Sequence, residues 1–386
     1  MIKIPKNISQ SFSVSYEYKL HFTENLFNLN NLLFANILDT YKNDQLKKTL
    51  FLVDEGVYKT HPNLLKEIKI YCSHFDSKIE LMEILLFKGG ENEKNKKESL
   101  KKVRSAINDF GICKHSFVIT IGGGALIDMG GYAAATAHRG VKIIRIPTTV
   151  LSQNDSAVGV KNGVNEFDKK NFLGTFSPPF AIINDFNFLK TLDQRDWISG
   201  IAEAIKVALI KDSSFFDFIE KNSNSLAIRK HEEMKYLIYK CAEMHMNHIA
   251  NEGDPFESGS SRPLDFGHWS AHKLEQLTNF NIRHGEAVAI GIALDTTYSH
   301  LIGLIDKKAL NQILNVLKKI GFNIKIPTHI NTEKLLEGIQ EFREHLGGEL
   351  SITLISEIGT KIDVNYIDIK KMREAIKLLS NKKKLS

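Results

Sequence analysis

Short apolar runs alternate with longer amphipathic ones through the first half of the chain. Residues 49–57 (TLFLVDEGV), 78–87, 115–124 and 141–149 are apolar and end in turn or polar residues. Segments 94–110 and 125–138, between them, carry helical spacing. This rhythm predicts a parallel sheet with covering helices. It changes after Pro178–Pro179. From about residue 191 the apolar positions fall into long amphipathic segments at 197–211, 214–222, 230–250, 268–277, 284–303 and 307–320. Helices are expected there, with one possible strand at 350–356. The pattern therefore predicts a Rossmann-like α/β nucleotide-binding domain over 1–180 and a mainly α-helical domain over 181–386. There is no internal repeat, and the terminal SNKKKLS reads as a solvated, frayed end.

A length of 386 residues allows two domains and a substantial core. With 42% hydrophobic and 25% charged residues the balance is that of a soluble enzyme. The net charge of +6 favours small anions slightly but lacks the dense basic stripe that nucleic acid requires. Cys72, Cys113 and Cys241 lie far apart, which excludes a disulfide framework or a cysteine zinc site and fits a reducing compartment. The N-terminus lacks the apolar core of a signal peptide, and no window approaches the roughly 18 apolar residues of a membrane span. The expectation is a soluble, cytoplasmic protein.

Four stretches carry candidate chemistry. FVITIGGGALIDMGGYAAAT (117–136) is a strand running through Gly122, Gly123 and Gly124 into a helix, a turn that lets backbone approach a phosphate at a helix N-terminus. The dinucleotide fingerprint is incomplete, because Ile127 stands where its third glycine would be, and a ligand-free tight turn is the alternative. Asp54, ending an earlier strand, fits either a ribose contact or a helix N-cap. GIAEAIKVALI (200–210) places Glu203 and Lys206 on one face of an otherwise apolar helix. A surface ion pair is the ordinary reading, yet burying such a pair is costly without a metal or ligand to meet it. His268, His272 and His284 fall within seventeen residues, and the i, i+4 spacing of His268 and His272 suggests a shared zinc site. Finally, VGVKNGVNEFDKKNFLGTF (158–176) is either a surface hairpin or a loop turning Lys161, Lys170 and Asn171 inward to meet an anion.

Taken in order, the motifs GGGALIDMGGYAAAT, HRG, IPTTVLSQNDSAVGVKNGVN, KKN, GIAEAIK, DFGHWSAHKLE and HGEAVAIG resemble the sugar phosphate cyclases, the dehydroquinate synthase-like superfamily, from about Asp54 to Gly359. The resemblance implies an NAD-binding domain, a helical domain and a divalent metal in the cleft, Zn2+ or Co2+. It implies Glu203, His268 and His284 as metal ligands. His272, Asn171 and Lys206 then surround a substrate phosphate, and Arg139 reaches into the site of a second subunit, which implies a homodimer. Asp155, Lys161 and Lys170 match positions near the reacting carbons. Asp54, Glu91, Lys94, Gly123, Gly124, Asp128, Thr148, Thr149 and Thr191 match cofactor contacts, as do Asp155 and Lys170. The implied reaction is a transient oxidation by NAD, β-elimination of phosphate, return of the hydride and an intramolecular aldol closure.

The chain departs from dehydroquinate synthase where that enzyme recognises a substrate carboxylate. His245 stands near the place of a lysine, Asp265 replaces an asparagine, Arg262 sits one residue closer to the first metal histidine, and Arg343 and Glu344 replace a double lysine. Asp265 before FGH is instead a feature of cyclases that use sedoheptulose 7-phosphate. That substrate, a phosphorylated sugar without a carboxylate, is the expected one. A divergent dehydroquinate synthase, a metal-dependent alcohol or glycerol dehydrogenase, and a silent binding protein of the same fold are the alternatives.

Overall fold

The structure is a computed structural model that describes residues 7–42, 45–167, 169–252, 256 and 264–380. Its strands, in chain order, are β1 (Lys19–Thr23), β2 (Lys47–Asp54), β3 (Ile79–Phe87), β4 (Phe117–Gly122), β5 (Lys142–Pro147), β6 (Lys161–Glu166), β7 (Lys169–Phe176), β8 (Ala181–Asp185), β9 (Ile352–Glu357) and β10 (Thr360–Val364). Six of them form an all-parallel sheet in the order β1-β8-β5-β4-β2-β3. The continuous apolar run of β4 follows from its position: both of its faces are covered. Phe117, Ile119 and Ile121 pack with Phe34, Leu38 and Tyr71 on one side. Val118 faces the other way, toward Leu50, Val103, Met129 and Ala133.

The chain runs outward from β2 to β3 and then returns to place β4 on the other side of β2. The carboxyl ends of β2 and β4 therefore flank a switch point, where open parallel sheets bind ligands. Asp54 ends β2 there, and Gly122–Gly124 end β4 and begin the helix Gly124–Thr136.

Beyond the sheet the chain is mostly helical. The helices Ile201–Lys211, His231–Asn251, His268–Leu277, His284–Leu301, Lys307–Ile320 and Ile369–Ser380 share one apolar core that includes Trp197, Ile205, Leu209, Trp269, Ile292, Leu314 and Met372. The β9–β10 hairpin joins this core, with the Gly359 N–H donating to Leu209 O at 2.8 Å.

Several elements differ from the sequence expectation. The segment 197–211 divides at Gly200 into the helices Gln194–Ser199 and Ile201–Lys211. The segment 94–110 opens as a tight 3-10 turn at Glu91–Asn95 before the helix Lys97–Asp109. β8 lies on the far side of the expected 180/181 boundary, so the sheet runs past it. Within the lysine-rich stretch, β6 and β7 form an antiparallel ribbon and, among the described residues, pair only with each other.

Candidate active site

The helix Ile201–Lys211 buries every residue from Ile201 to Ile210, including both of its central charges. The surface-pair reading therefore does not hold. Lys206 Nζ stands 2.6 Å from Glu203 Oε2, and the two side chains are 4% and 0% exposed. Neither carboxylate oxygen receives a well-angled hydrogen bond. Across from Oε1 lie His284 Nε2 at 3.4 Å and His268 Nε2 at 3.7 Å. Burial alone would raise the Glu203 carboxyl, but Lys206 and then the two imidazoles hold it well below its ordinary range. Burial, helped by Lys206, pushes His268 down to about 4, so its ring is neutral and able to bind a cation.

Local structure delivers these side chains. The backbone of Asp265 accepts the His268 N–H at 2.9 Å as the helix His268–Leu277 starts. Glu286 reaches back to accept the Arg283 N–H at 2.9 Å, and the helix His284–Leu301 begins at His284 itself.

Two groups of donors here have ligand atoms within 4.8 Å of one another: Glu203, His268 and His284, and His272, Glu275 and His284. They separate His268 from His272, so the i, i+4 spacing does not define one ligand set. They also differ in what their carboxylates already do. Glu275 Oε2 accepts from His284 Nδ1 at 3.1 Å, and its Oε1 accepts from Lys170 Nζ at 3.3 Å. Glu203 has oxygens to offer, in a site where an unmet buried carboxylate is costly. One carboxylate and two imidazoles facing one point suit a divalent ion of the zinc type.

The β6–β7 ribbon approaches from the sheet side. It is a hairpin, and Lys170 and Asn171 each meet a side chain from outside it. Lys170 reaches Glu275, and Asn171, at φ 51°, accepts a hydrogen bond from Lys94. Lys94 also pairs with Asp128 at 2.9 Å and stands 3.5 Å from Glu91. Asn165 donates to Glu91 and accepts the Asn171 N–H at 2.8 Å. Lys161, at the start of β6, is exposed, as are Lys170 and Asn171 as whole residues.

Below, the ribbon is seated on the helix Gly124–Thr136. A Cβ at Gly131 would lie 1.8 Å from Asn162 Oδ1, so only glycine permits this approach. The fully buried Arg145, a residue of β5, holds the segment by donating to Ala157 O, Gly159 O, Lys161 O and Asn162 Oδ1.

At the switch point, Cβ atoms on Gly122 and Gly124 would collide with Leu126 and Ser156, whereas one on Gly123 would meet only Thr149 Cγ2 at 3.7 Å. Space is thus left at the helix N-terminus over Gly123, as a phosphate-bearing cofactor requires. Thr148 ties this turn to β4 through Gly122 O at 3.0 Å, and Thr149 hydrogen-bonds Ser152. Asp54 is the N-cap of Glu55–Thr60, its Oδ1 accepting from Gly56 N at 2.7 Å, and Thr191 bonds His61 at 2.8 Å.

On the helical side, His245 Nδ1 stands 3.1 Å from Asp155 Oδ1. Arg343 donates to Gly348 O at 2.6 Å, on the same helix (Thr332–His345) as Glu344. Arg262 lies outside the described residues. Arg139 lies beyond the C-terminal end of Gly124–Thr136, beside Cys113, Lys114 and His138. Thirteen helical residues separate it from the glycine turn, roughly 20 Å at the ordinary rise.

Sequence reasoning missed Glu275, Asp295, Asn165 and Arg145. Glu275 follows His268 and His272 on one helix face, and Asp295 interrupts an apolar helix, so both left a trace in the sequence.

Comparison with known proteins agrees with this architecture. The family models for the 3-dehydroquinate synthase N-terminal and C-terminal regions match residues 84–199 and 200–344. The 3-dehydroquinate synthase of Dictyoglomus turgidum is 32% identical over 92% of this chain and 93% of its own. Among solved structures, 2-epi-5-epi-valiolone synthase from Streptomyces hygroscopicus subsp. jinggangensis 5008, with NAD+ and Zn2+ bound, is 27% identical with a TM-score of 0.85, covering 97% of this chain and 99% of that one. A 2-deoxy-scyllo-inosose synthase complexed with carbaglucose-6-phosphate, NAD+ and Co2+ shares the fold at 22% identity and a TM-score of 0.76, over 92% of this chain and 95% of that one. With family models matching both regions and a relative 32% identical over nearly its whole length, the chain belongs to the 3-dehydroquinate synthase family of sugar phosphate cyclases.

Proposed function

We propose that this protein is a homodimeric cyclase, dependent on NAD and a divalent metal, that converts a C7 ketose phosphate of the sedoheptulose 7-phosphate type into a carbocycle with loss of phosphate. The observation that carries the choice of substrate is the pairing of His245 with Asp155. His245, near the place where the family has a lysine for a substrate carboxylate, is instead directed at Asp155. A further carboxylate brought to this pole meets like charge, whereas a hydroxymethyl group finds acceptors. The named activity of the Streptomyces neighbour supports the same reading.

When bound, NAD takes up and returns a hydride and a divalent ion polarises substrate oxygens; Gly123 and Thr149 would border the one, and Glu203, His268 and His284 would hold the other. The chain's own residues do the remainder. Lys206, His272 and Asn171 offer donors to the departing phosphate. Lys170, anchored on Glu275, keeps a positive charge beside the cleft. Arg139, a helix length from its own glycine turn, serves the site of a second copy.

A second reading, a divergent 3-dehydroquinate synthase, is favoured by the names of the curated relatives. Measuring kcat/KM for sedoheptulose 7-phosphate and for the carboxylate substrate of dehydroquinate synthase separates the two. Preference for the carboxylate compound overturns our assignment, and net accumulation of NADH during turnover would make the protein a dehydrogenase instead.

A further inference from the structure

The Glu275 carboxylate is 4% exposed as a residue and spends one oxygen on each of two partners from different halves of the chain. Oε2 takes His284 Nδ1 at 3.1 Å, and Oε1 takes Lys170 Nζ from β7, 105 residues away in sequence, at 3.3 Å. An ionised carboxylate only accepts, so Nδ1 of His284 donates a proton toward Glu275. That leaves Nε2, 3.4 Å from Glu203 Oε1, as the ring atom a metal ion would take. We infer that Glu275 is a positioning residue that aims His284 at a divalent ion and, through the same carboxylate, ties the hairpin lysine to the metal centre. This rests on the metal reading of Glu203, His268 and His284.

Each Glu275 oxygen already has a partner, so Glu275 acts on the ion through the His284 ring. Its effect is indirect. It selects the imidazole tautomer and the ring orientation, the role that carboxylates behind metal-bound histidines play generally. Because Lys170 shares that carboxylate, the ribbon residue placed at the cofactor side is held by the same side chain that orders the ligand. Two sites that the sequence separates by most of a domain thus share one anchor.

Equilibrium binding tests this without turnover. Zinc affinity would be measured by chelator competition, the Co2+-loaded protein by visible absorption, and NAD affinity by fluorescence, with circular dichroism verifying the fold. Glu275→Ala should weaken zinc about 10- to 100-fold, change the cobalt spectrum and weaken NAD. Lys170→Met should weaken NAD but leave zinc unchanged. Should Glu275→Ala fail to fold, the isosteric Glu275→Gln decides. Its amide can accept from His284 or from Lys170, and its NH2 then opposes the other donor, so zinc or NAD affinity must fall. Unchanged affinities for both in a folded Glu275→Gln or Glu275→Ala protein overturn the proposal. Wild-type protein that takes up neither zinc nor cobalt sinks the metal reading itself, a distinguishable result.

Discussion

Asp295 clamps Gly267: its Oδ2 accepts the Gly267 N–H at 3.0 Å, one residue before His268. Its other oxygen takes the Trp269 indole N–H at 2.9 Å. Gly267 is in the left-handed region at φ 78°, and any Cβ there would press on the Ile292 nitrogen at 2.7 Å. A fully buried carboxylate thus secures both neighbours of a candidate metal ligand.

Burial pushes the Asp295 carboxyl up to about 7, against the pull of its two donors. Folded-state pKa above the unfolded value means that the native protein holds a proton the unfolded chain has released. Stability therefore falls as pH rises from about 4 to 7 and levels off beyond. Asp295→Asn lacks this drift. The gap between wild-type and variant melting temperatures should change between pH 5 and pH 8 to the disadvantage of the wild type, and a pH-independent gap contradicts the assignment.

Gly131→Ala should destabilise the protein by about 1–3 kcal/mol, as overpacking does. The added methyl drives Asn162 away from the helix, and with it β6 and its contact to Arg145. Urea unfolding gives the loss, and a weaker NAD affinity would show that the displacement reaches Lys170.

Glu203→Ala and His268→Ala should both lose zinc but differ in the metal-free state. Removing Glu203 takes the nearest counter-ion, 2.6 Å away, from the buried Lys206 ammonium, a loss that typically costs about 3–5 kcal/mol. His268 is neutral, so its removal strands no charge. Unfolding of the two apo-proteins should show Glu203→Ala as the less stable; equal stabilities would mean Lys206 has another adequate counter-ion.

Asp265→Asn should move the substrate preference toward the carboxylate compound by about tenfold or more. A like charge at contact range costs a few kcal/mol at an effective dielectric constant near 20, and each 1.4 kcal/mol is tenfold. The ratio of the two kcat/KM values measures it, and an unchanged ratio removes Asp265 from the specificity argument.

Four of the six sheet strands were readable because each is a short, mainly apolar segment ending in turn or polar residues. β8 is only five residues long, and β1 (KLHFT) carries a lysine and a histidine. It is pairing with β8, from Lys19 opposite Ala181 to Thr23 opposite Asp185, that makes β1 a strand, and no local pattern records that. In the site, Glu203 was conspicuous as a charge among alanines and isoleucines. Glu275 and Asp295 were not, since each acts through a residue brought near by folding, from 105 and 28 positions away. Lys170 was legible as a candidate, but its partner was not.

The β6–β7 ribbon has one further property. Among the described residues each of its strands has a single neighbour, and β7 is water-exposed along nearly all of its length. Opening such an element breaks no bond of the six-stranded sheet, so its free energy of opening lies below that of global unfolding. The backbone amides of β7 should then exchange with deuterium well before those of β4, which is buried throughout. A ligand that engages Lys170 or Asn171 would slow exchange along the whole strand, making the ribbon a built-in reporter of site occupancy that needs no label and no turnover.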